Sequence, residues 1–354
     1  MKLGIWSDIH LGRTLYRTNP GELNKFEAIG YRTFNEYIDV ILKEKPDILI
    51  NLGDTFEISN PPIIALNQFA LGMRRLKDIP QLIILGNHDY SGKNRNEECS
   101  SVKTILDTSE CNILKFADYE VEYYIQDDCL FVLLPYVYDT LDNIAAMYNQ
   151  VIEIAKNNKQ KHNFLLSHGV TQEYAKNFPG FDNEHININE RVLENFDMCL
   201  IGHIHMPLDY KVGKCRVISP GAMINWVEPK DDTGPLFIDT NKLKVNRVHI
   251  DTVHTIKENA DETNINDILK KIDENIYKIT YTGDTSVIDN DLFIEAKNKA
   301  VNLILDIQKF DKDEDLNQMT EQENIKDFSL WIKDNYPDKL DVFTEAKVKI
   351  EEEL

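Results

Sequence analysis

Residues 5–12 read "IWSDIHLG": an apolar run that breaks into an acid and an imidazole two positions apart. The run "KLGIWS" reads as a short strand, with Asp8 and His10 on the loop just past its end. Such a pair has a bland reading, a turn or cap with a nearby surface histidine. It also has a sharp one, the opening of a metal site, and the rest of the chain decides between them.

The same pattern recurs outward from this stretch. "DILINL", "QLIILG", "CLFVLLP", "NFLLSH", "DMCLIGH", "CRVIS" and "PLFIDT" read as further strands between Met1 and about Asp251. They alternate with helical patterns, which predicts an α/β layered domain. A long amphipathic helix is expected from Glu22 to Lys45, with Phe26, Ile29, Tyr37, Ile38, Ile41 and Leu42 at helical spacing, and others from Ile63 to Lys77 and from Thr140 to Asn158. "EVEYYI", 120–125, alternates as a strand does.

After Asp251 the strand signals thin to "IYKITYTG", and a helix is expected around Leu292 to Gln308. The expected organisation is a domain over 1–251, a small capping domain over 252–308, an acidic linker over 309–319 containing "FDKDEDLNQ", and a tail over 320–354. Two amphipathic helices are expected in that tail. One carries Ile325, Phe328 and Ile332 beside Trp331, and the other Leu340, Phe343, Ala346, Ile350 and Leu354. So short a hairpin has little core of its own, so its apolar faces either pack back on the domain or dock on another protein.

No apolar run among the 354 residues approaches the roughly 18 needed to span a bilayer, and Met1-Lys2-Leu3 leads into a strand without a signal-peptide core. A soluble, non-secreted, cytoplasmic protein is expected. The five cysteines (Cys99, Cys111, Cys129, Cys199, Cys215) are odd in number and scattered, which suits neither a disulfide framework nor a thiolate zinc site. A net charge of −21 argues against a broad basic surface for nucleic acid. If DNA is the substrate, cations, a local basic patch or a partner must offset that field.

Five strand ends carry ligand-type residues: Asp8 and His10; Gly53-Asp54; Gly86-Asn87-His88-Asp89; His168; and Gly202-His203-Ile204-His205. In α/β sheets functional groups gather beyond the carboxyl ends of strands, so these loops can converge although they span two hundred positions. Leaving Asp89 aside, the set holds two carboxylates, an amide and five imidazoles, with no thiolate. Mixed oxygen and nitrogen donors suit Mn, Fe, Zn or similar divalent ions. Asp54, alone at its strand end, is the best candidate to bridge two ions. Two ions roughly 3.5–4 Å apart can activate water and clamp the oxygens of an in-line phosphoryl displacement.

Taken in order, these five motifs resemble the signature of the calcineurin-like metallophosphoesterases over about residues 1–250. The resemblance implies a four-layer α/β/β/α sandwich with a small α+β capping domain and C-terminal helices. It implies that Asp8, His10, Asp54 and His205 hold one divalent ion and Asp54, Asn87, His168 and His203 a second, with Mn the expected metal. His88 would be the non-ligand histidine that stabilises the transition state or protonates the leaving oxygen, and Asp89 would orient it or its loop.

Within the superfamily, "DIHLG" and "GDTFE" are similar to the SbcD exonuclease branch of double-strand-break repair, in the short form that large phages encode. That likeness implies a DNA exonuclease and endonuclease in the cytoplasm of a bacterium or phage-infected cell. It also implies an SbcC-type ABC ATPase bound through 320–354, and a homodimer built on helices such as "PPIIALNQFALGMRRL", 61–76, which is apolar on more than one face. The turn "SPGAMINW", 219–226, departs from the branch, with Ala222 where a serine is usual.

Arg13, Arg17, Lys93 and Arg95 follow two of the ligand motifs and are candidate phosphate contacts, against the commoner role of solvated surface charges. His162, His185, His249 and His254 lie outside any ligand motif and are expected to be structural or exposed. Two other functions fit parts of the pattern: a small-molecule or protein phosphoesterase using the same ions, such as a cyclic-nucleotide phosphodiesterase, and a catalytically silent scaffold.

Overall fold

The computed structural model describes residues 1–14, 24–89, 100–178, 186–224 and 233–308. The chain divides into two units, Met1–Asp306 and Ile307–Leu354. The linker and tail expected over 309–354 lie outside the described residues, as do Arg17, Lys93, Arg95, His185 and Cys99.

Two six-stranded sheets form the centre. The first begins with β1 (Lys2–Trp6), β2 (Ile48–Asn51), β3 (Gln81–Ile84) and β4 (Ile113–Ala117). The second takes β5 (Glu122–Gln126), β6 (Cys129–Leu134) and β7 (His162–His168). After a short pair, β8 (Val170–Thr171) and β9 (Asn187–Ile188), the second sheet continues with β10 (Met198–Gly202), β11 (Leu208–Val212) and β12 (Cys215–Ser219). Then β13 (Leu236–Asp239) and β14 (Lys244–Arg247) return to the first. The strand orders are β14-β13-β1-β2-β3-β4 and β11-β12-β10-β7-β6-β5. In each sheet four strands run parallel, β1 to β4 in one and β6, β7, β10 and β12 in the other.

Parallel strands buried on both faces read as unbroken apolar runs, which is why "DILINL" and "CLFVLLP" stand out. Leu3, Ile5, Ile50 and Leu82 of one sheet meet Phe131, Phe164, Leu166 and Leu200 of the other in the core between them. On the outer face of the first sheet lie α1 (Lys25–Glu44), α2 (Ile63–Leu76) and α3 (Ser101–Thr108). The outer face of the second is covered by α4 (Leu141–Asn157), α5 (Gln172–Asn177) and α6 (Glu190–Leu193). The layers are therefore α/β/β/α, as expected.

The start of α1 falls three residues later than its periodicity suggests. Asn24 caps it, its Oδ1 accepting from the Phe26 amide at 2.9 Å. On α2, Ala65, Phe69 and Met73 face the core while Ile63, Ile64 and Leu71 are exposed. Tyr123 and Ile125 lie on β5, the strand expected from "EVEYYI".

The segment expected as the cap forms a three-stranded sheet, β15 (Thr255–Asp261), β16 (Ile276–Thr282) and β17 (Asn302–Gln308), with α7 (Ile265–Lys271) and α8 (Asn290–Lys299) sharing its apolar cluster. One expectation is overturned here: the helix expected to run to Gln308 stops at Lys299, and 302–308 is strand. Leu303 and Leu305 turn to the cap core while Ile304 is exposed, a period of two that an apolar count over one window blends with a helical one. Val253, Ile276 and Val301 join the cluster around α1, and Lys25 donates to the Ala300 carbonyl at 3.2 Å, so the cap is packed against that helix.

Candidate metal centre

The loops after β1 and β2 are laced together past the ends of their strands. The amides of Asp8, His10 and Leu11 donate to the carbonyls of Gly53, Asp54 and Thr55, each at 3.0 Å, and Glu57 donates back to Leu11 at 3.1 Å. This pairing holds Asp8, His10 and Asp54 in the left-handed region, with φ of 51°, 48° and 52°. Non-glycine residues persist there only where surrounding contacts over-determine them. His203, at φ 82°, is held the same way: its amide donates to both Asp8 carboxylate oxygens, at 3.0 and 3.1 Å, which ties the second sheet to the first.

The side-chain hydrogen bonds of Asp89 go to backbone amides. Its buried carboxylate accepts from the amides of Asp54 at 2.8 Å and of Thr55 and Gly86 at 3.0 Å, bracing the β2 and β3 loops against each other. Two glycines permit this closeness. A Cβ on Gly86 would lie 2.2 Å from Asp54 Oδ1, and one on Gly202 would lie 2.3 Å from Ser7 Oγ and 2.5 Å from the Leu52 carbonyl.

The seven expected ligands converge from both sheets. Asp8, His10, Asp54 and His205 offer donor atoms within 4.8 Å of one another, as do Asp54, His168 and His203. In the first group His10 Nε2 faces His205 Nε2 at 3.1 Å, with Asp8 Oδ1 3.6 Å from the latter. In the second, Asn87 Oδ1 lies 3.0 Å from His168 Nε2 and 2.9 Å from His203 Nδ1. Asp54 Oδ2 belongs to both groups, 3.7 Å from His10 Nε2 and 3.3 Å from His168 Nε2, while its Oδ1 accepts the His88 amide at 2.9 Å.

The far side of the His168 ring fixes its tautomer. His168 Nδ1 lies 2.7 Å from the Leu52 carbonyl, which can only accept, so Nδ1 carries the hydrogen and the Nε2 lone pair of the neutral ring points into the site. His10 Nδ1 lies 2.9 Å from Glu57 Oε2, an ion-pair contact outside hydrogen-bond alignment. Ring nitrogens facing one another, flanked by buried carboxylates and backed by acceptors, are a donor set that fits divalent cations.

Without an ion the charges settle among themselves. Burial resists a charge on His168, yet Asp54 outweighs it and pushes the imidazole up to about 9. Burial alone would raise Asp54, but His168, His10 and His88 hold its carboxyl well below the usual carboxylate range. His205 is lowered to about 4 by burial, against the pull of Asp8.

Sequence reasoning names the donors and misses their supports. Glu57 enters it only as the last residue of "GDTFE", and the Leu52 carbonyl carries no side-chain signal at all. Arg13, a candidate phosphate contact, points its guanidinium at Glu57, 2.9 and 3.1 Å from the two carboxylate oxygens. The Ala222 amide donates to the His205 carbonyl at 3.0 Å, a contact that does not depend on the side chain at this position.

A sandwich of two mixed sheets with an aspartate shared between two clusters of imidazole, carboxylate and amide donors defines a metallophosphoesterase. A match to the calcineurin-like phosphoesterase family extends over residues 1–207, more than half of the chain, and the protein belongs to that family. It is similar to the DNA double-strand break repair protein Mre11 of Saccharolobus solfataricus, 34% identical over 34% of this chain and 29% of that protein. The corresponding Sulfurisphaera tokodaii protein is 38% identical over 25% of this chain and 22% of its own length. The SbcD component of nuclease SbcCD from Staphylococcus saprophyticus is 22% identical over 69% of this chain and 67% of its own. The chain thus spans under a third of the archaeal relatives it matches.

Proposed function

We propose that the protein is a DNA nuclease that hydrolyses phosphodiesters at DNA ends, with Asp8, His10, Asp54 and His205 holding one divalent ion and Asp54, Asn87, His168 and His203 the other, Mn being the expected metal. The observation that carries the reading is Asp54 Oδ2, placed between two ring nitrogens of separate donor groups. The likeness to proteins named for double-strand break repair and for a nuclease supports DNA as the substrate.

Two such ions supply an activated water and charge neutralisation on the scissile phosphate. What the chain supplies is placement. His88 gives its Nδ1 hydrogen to the Glu57 carbonyl at 2.5 Å, so Nε2 is the ring atom available for a proton to the leaving oxygen. An imidazole suits that step because its pKa of about 6.5 lies near neutrality. His88 is half-buried, and with His10 and Glu57 it forms a third group of donor atoms within 4.8 Å of one another. In the proposed function it is the proton donor and not a ligand.

The proposal includes an ABC-type ATPase partner engaged by 320–354, a homodimer using the exposed Ile63, Ile64 and Leu71 of α2, and a cytoplasmic setting. Among the described residues no helix is long and apolar enough to cross a membrane. Linear duplex and single-stranded circular DNA incubated with Mn, with and without the ATPase, test the reading. Both substrates should be cut, duplex ends faster with the partner. Hydrolysis of a cyclic nucleotide with no cleavage of either DNA would favour the small-molecule phosphoesterase instead. Deleting residues 321–354 separates the two further, since it should abolish the partner's stimulation and spare a stand-alone phosphoesterase.

A further inference from the structure

The acidic residue of "GDTFE" is in neither of the two donor groups that share Asp54. It forms a third with His10 and His88, their donor atoms within 4.8 Å of one another, and so stands against both kinds of working histidine. Glu57 Oε2 lies 2.9 Å from His10 Nδ1. The main-chain carbonyl of the same residue lies 2.5 Å from His88 Nδ1. Arg13 closes on the carboxylate from the other side, reaching Oε1 at 3.1 Å and Oε2 at 2.9 Å. The His10 side chain is 1% exposed and that of Glu57 24%, so the contact is sheltered from water on the histidine side. The lacing of the β1 and β2 loops fixes this meeting, since the Glu57 amide donates to Leu11 at 3.1 Å and the Arg13 amide to His10 at 3.1 Å.

We propose that Glu57, clamped by Arg13, is a positioning residue that holds His10 and His88 in register. The charge of its carboxylate beside Nδ1 favours the His10 hydrogen on that atom, which presents Nε2 to the first ion, and its carbonyl holds the Nδ1 hydrogen of the proton-transferring ring. The inference rests on the dinuclear reading above and deepens it. A carboxylate behind a ligating imidazole fixes its tautomer and raises its basicity, and removing such a partner typically costs 10–100-fold in metal affinity. The effect must be confined to one ion. Glu57 backs His10 of the first group, whereas His168 of the second is backed by the Leu52 carbonyl.

Mn titration of the full-length, chelator-stripped chain by calorimetry tests this, with melting curves in EDTA as the control for folding. In Glu57→Ala one of the two ions should weaken by about 10–100-fold while the other binds as in wild type. Glu57→Gln keeps an acceptor without the charge and should fall between. Arg13→Gln, which loosens the clamp and leaves the carboxylate, should weaken the same ion by a smaller factor. Saturating Mn should restore DNA turnover to Glu57→Ala, because the carbonyl that holds His88 survives the substitution, and should not restore it to His88→Ala. Two wild-type affinities in Glu57→Ala would overturn the proposal, and so would equal weakening of both ions in Glu57→Gln with an unchanged melting temperature. A wild-type chain that takes up no ion pair overturns the dinuclear reading itself, a result distinct from either.

Discussion

The two main contacts of His88, ring to the Glu57 carbonyl and amide to Asp54 Oδ1, leave Nε2 unused by either. His88→Ala should therefore cut cleavage by roughly 10²–10⁴-fold, the usual share of a positioned general acid. Bound Mn, counted by elemental analysis, should stay at the wild-type level, and its loss would refute the assigned role. Asp89→Asn removes one acceptor from a carboxylate shared by buried amides of two loops. It should cost about 2–3 kcal/mol in urea unfolding of the ion-free protein, the penalty of leaving a buried donor without a partner.

The His168–Asp54 pair gives a pH dependence with a defined sign. His168 is raised from 6.5 to about 9 in the ion-free fold, so its contribution to stability is complete below 6.5 and is lost as pH climbs through 9. Asp54 is lowered, so its contribution is present above its ordinary range and fades in strong acid. A cation at the second group must displace the His168 proton, so its apparent affinity should rise by about tenfold per pH unit between roughly 6.5 and 9. Calorimetry in buffers of different ionisation enthalpy reads the released proton directly. The donors themselves were legible in the sequence, because acids and imidazoles next to glycines at strand ends are rare enough to notice together. Glu57 as a support was not, since its meeting with His10 spans separate strands and depends on the lacing of two loops.

At the level of elements, the strands that build the centre announce themselves as apolar runs buried on both faces. Those at the edges do not. Residues of β11 and β14 alternate between exposed and half-buried, so their apolar pattern is diluted. The error over β17 has the same origin, since its pairing partner lies at another place in the sequence and a local window cannot register it. The strand ends also carry a prediction about close approach. Gly202→Ala would push a Cβ to within 2.7 Å of His168 Nδ1 as well as against Ser7 and Leu52. It should separate the two sheets at this edge, lowering both the melting temperature and Mn uptake, whereas a variant that loads two ions normally would show that the approach is not needed.

For the whole molecule, a formal charge of −21 opposes a polyanionic substrate, and two divalent ions return only four positive charges at one edge. That imbalance is the reason the proposed function includes a partner at duplex ends, and the geometry of the site alone would not have raised it. Bound ions would also join the two sheets, since the proposed ligands come from the β1, β2, β3, β7 and β10 loops. Free Mn at 100 times the dissociation constant should stabilise the fold by about 2.7 kcal/mol for each site, seen as a rise in melting temperature that EDTA reverses. The arrangement of donors around Asp54 is tested most directly by anomalous scattering from crystals soaked in Mn. Two peaks roughly 3.5–4 Å apart are expected, one among Asp8, His10 and His205, the other among Asn87, His168 and His203, with Asp54 between them. A single peak, or two that do not share Asp54, would contradict the account.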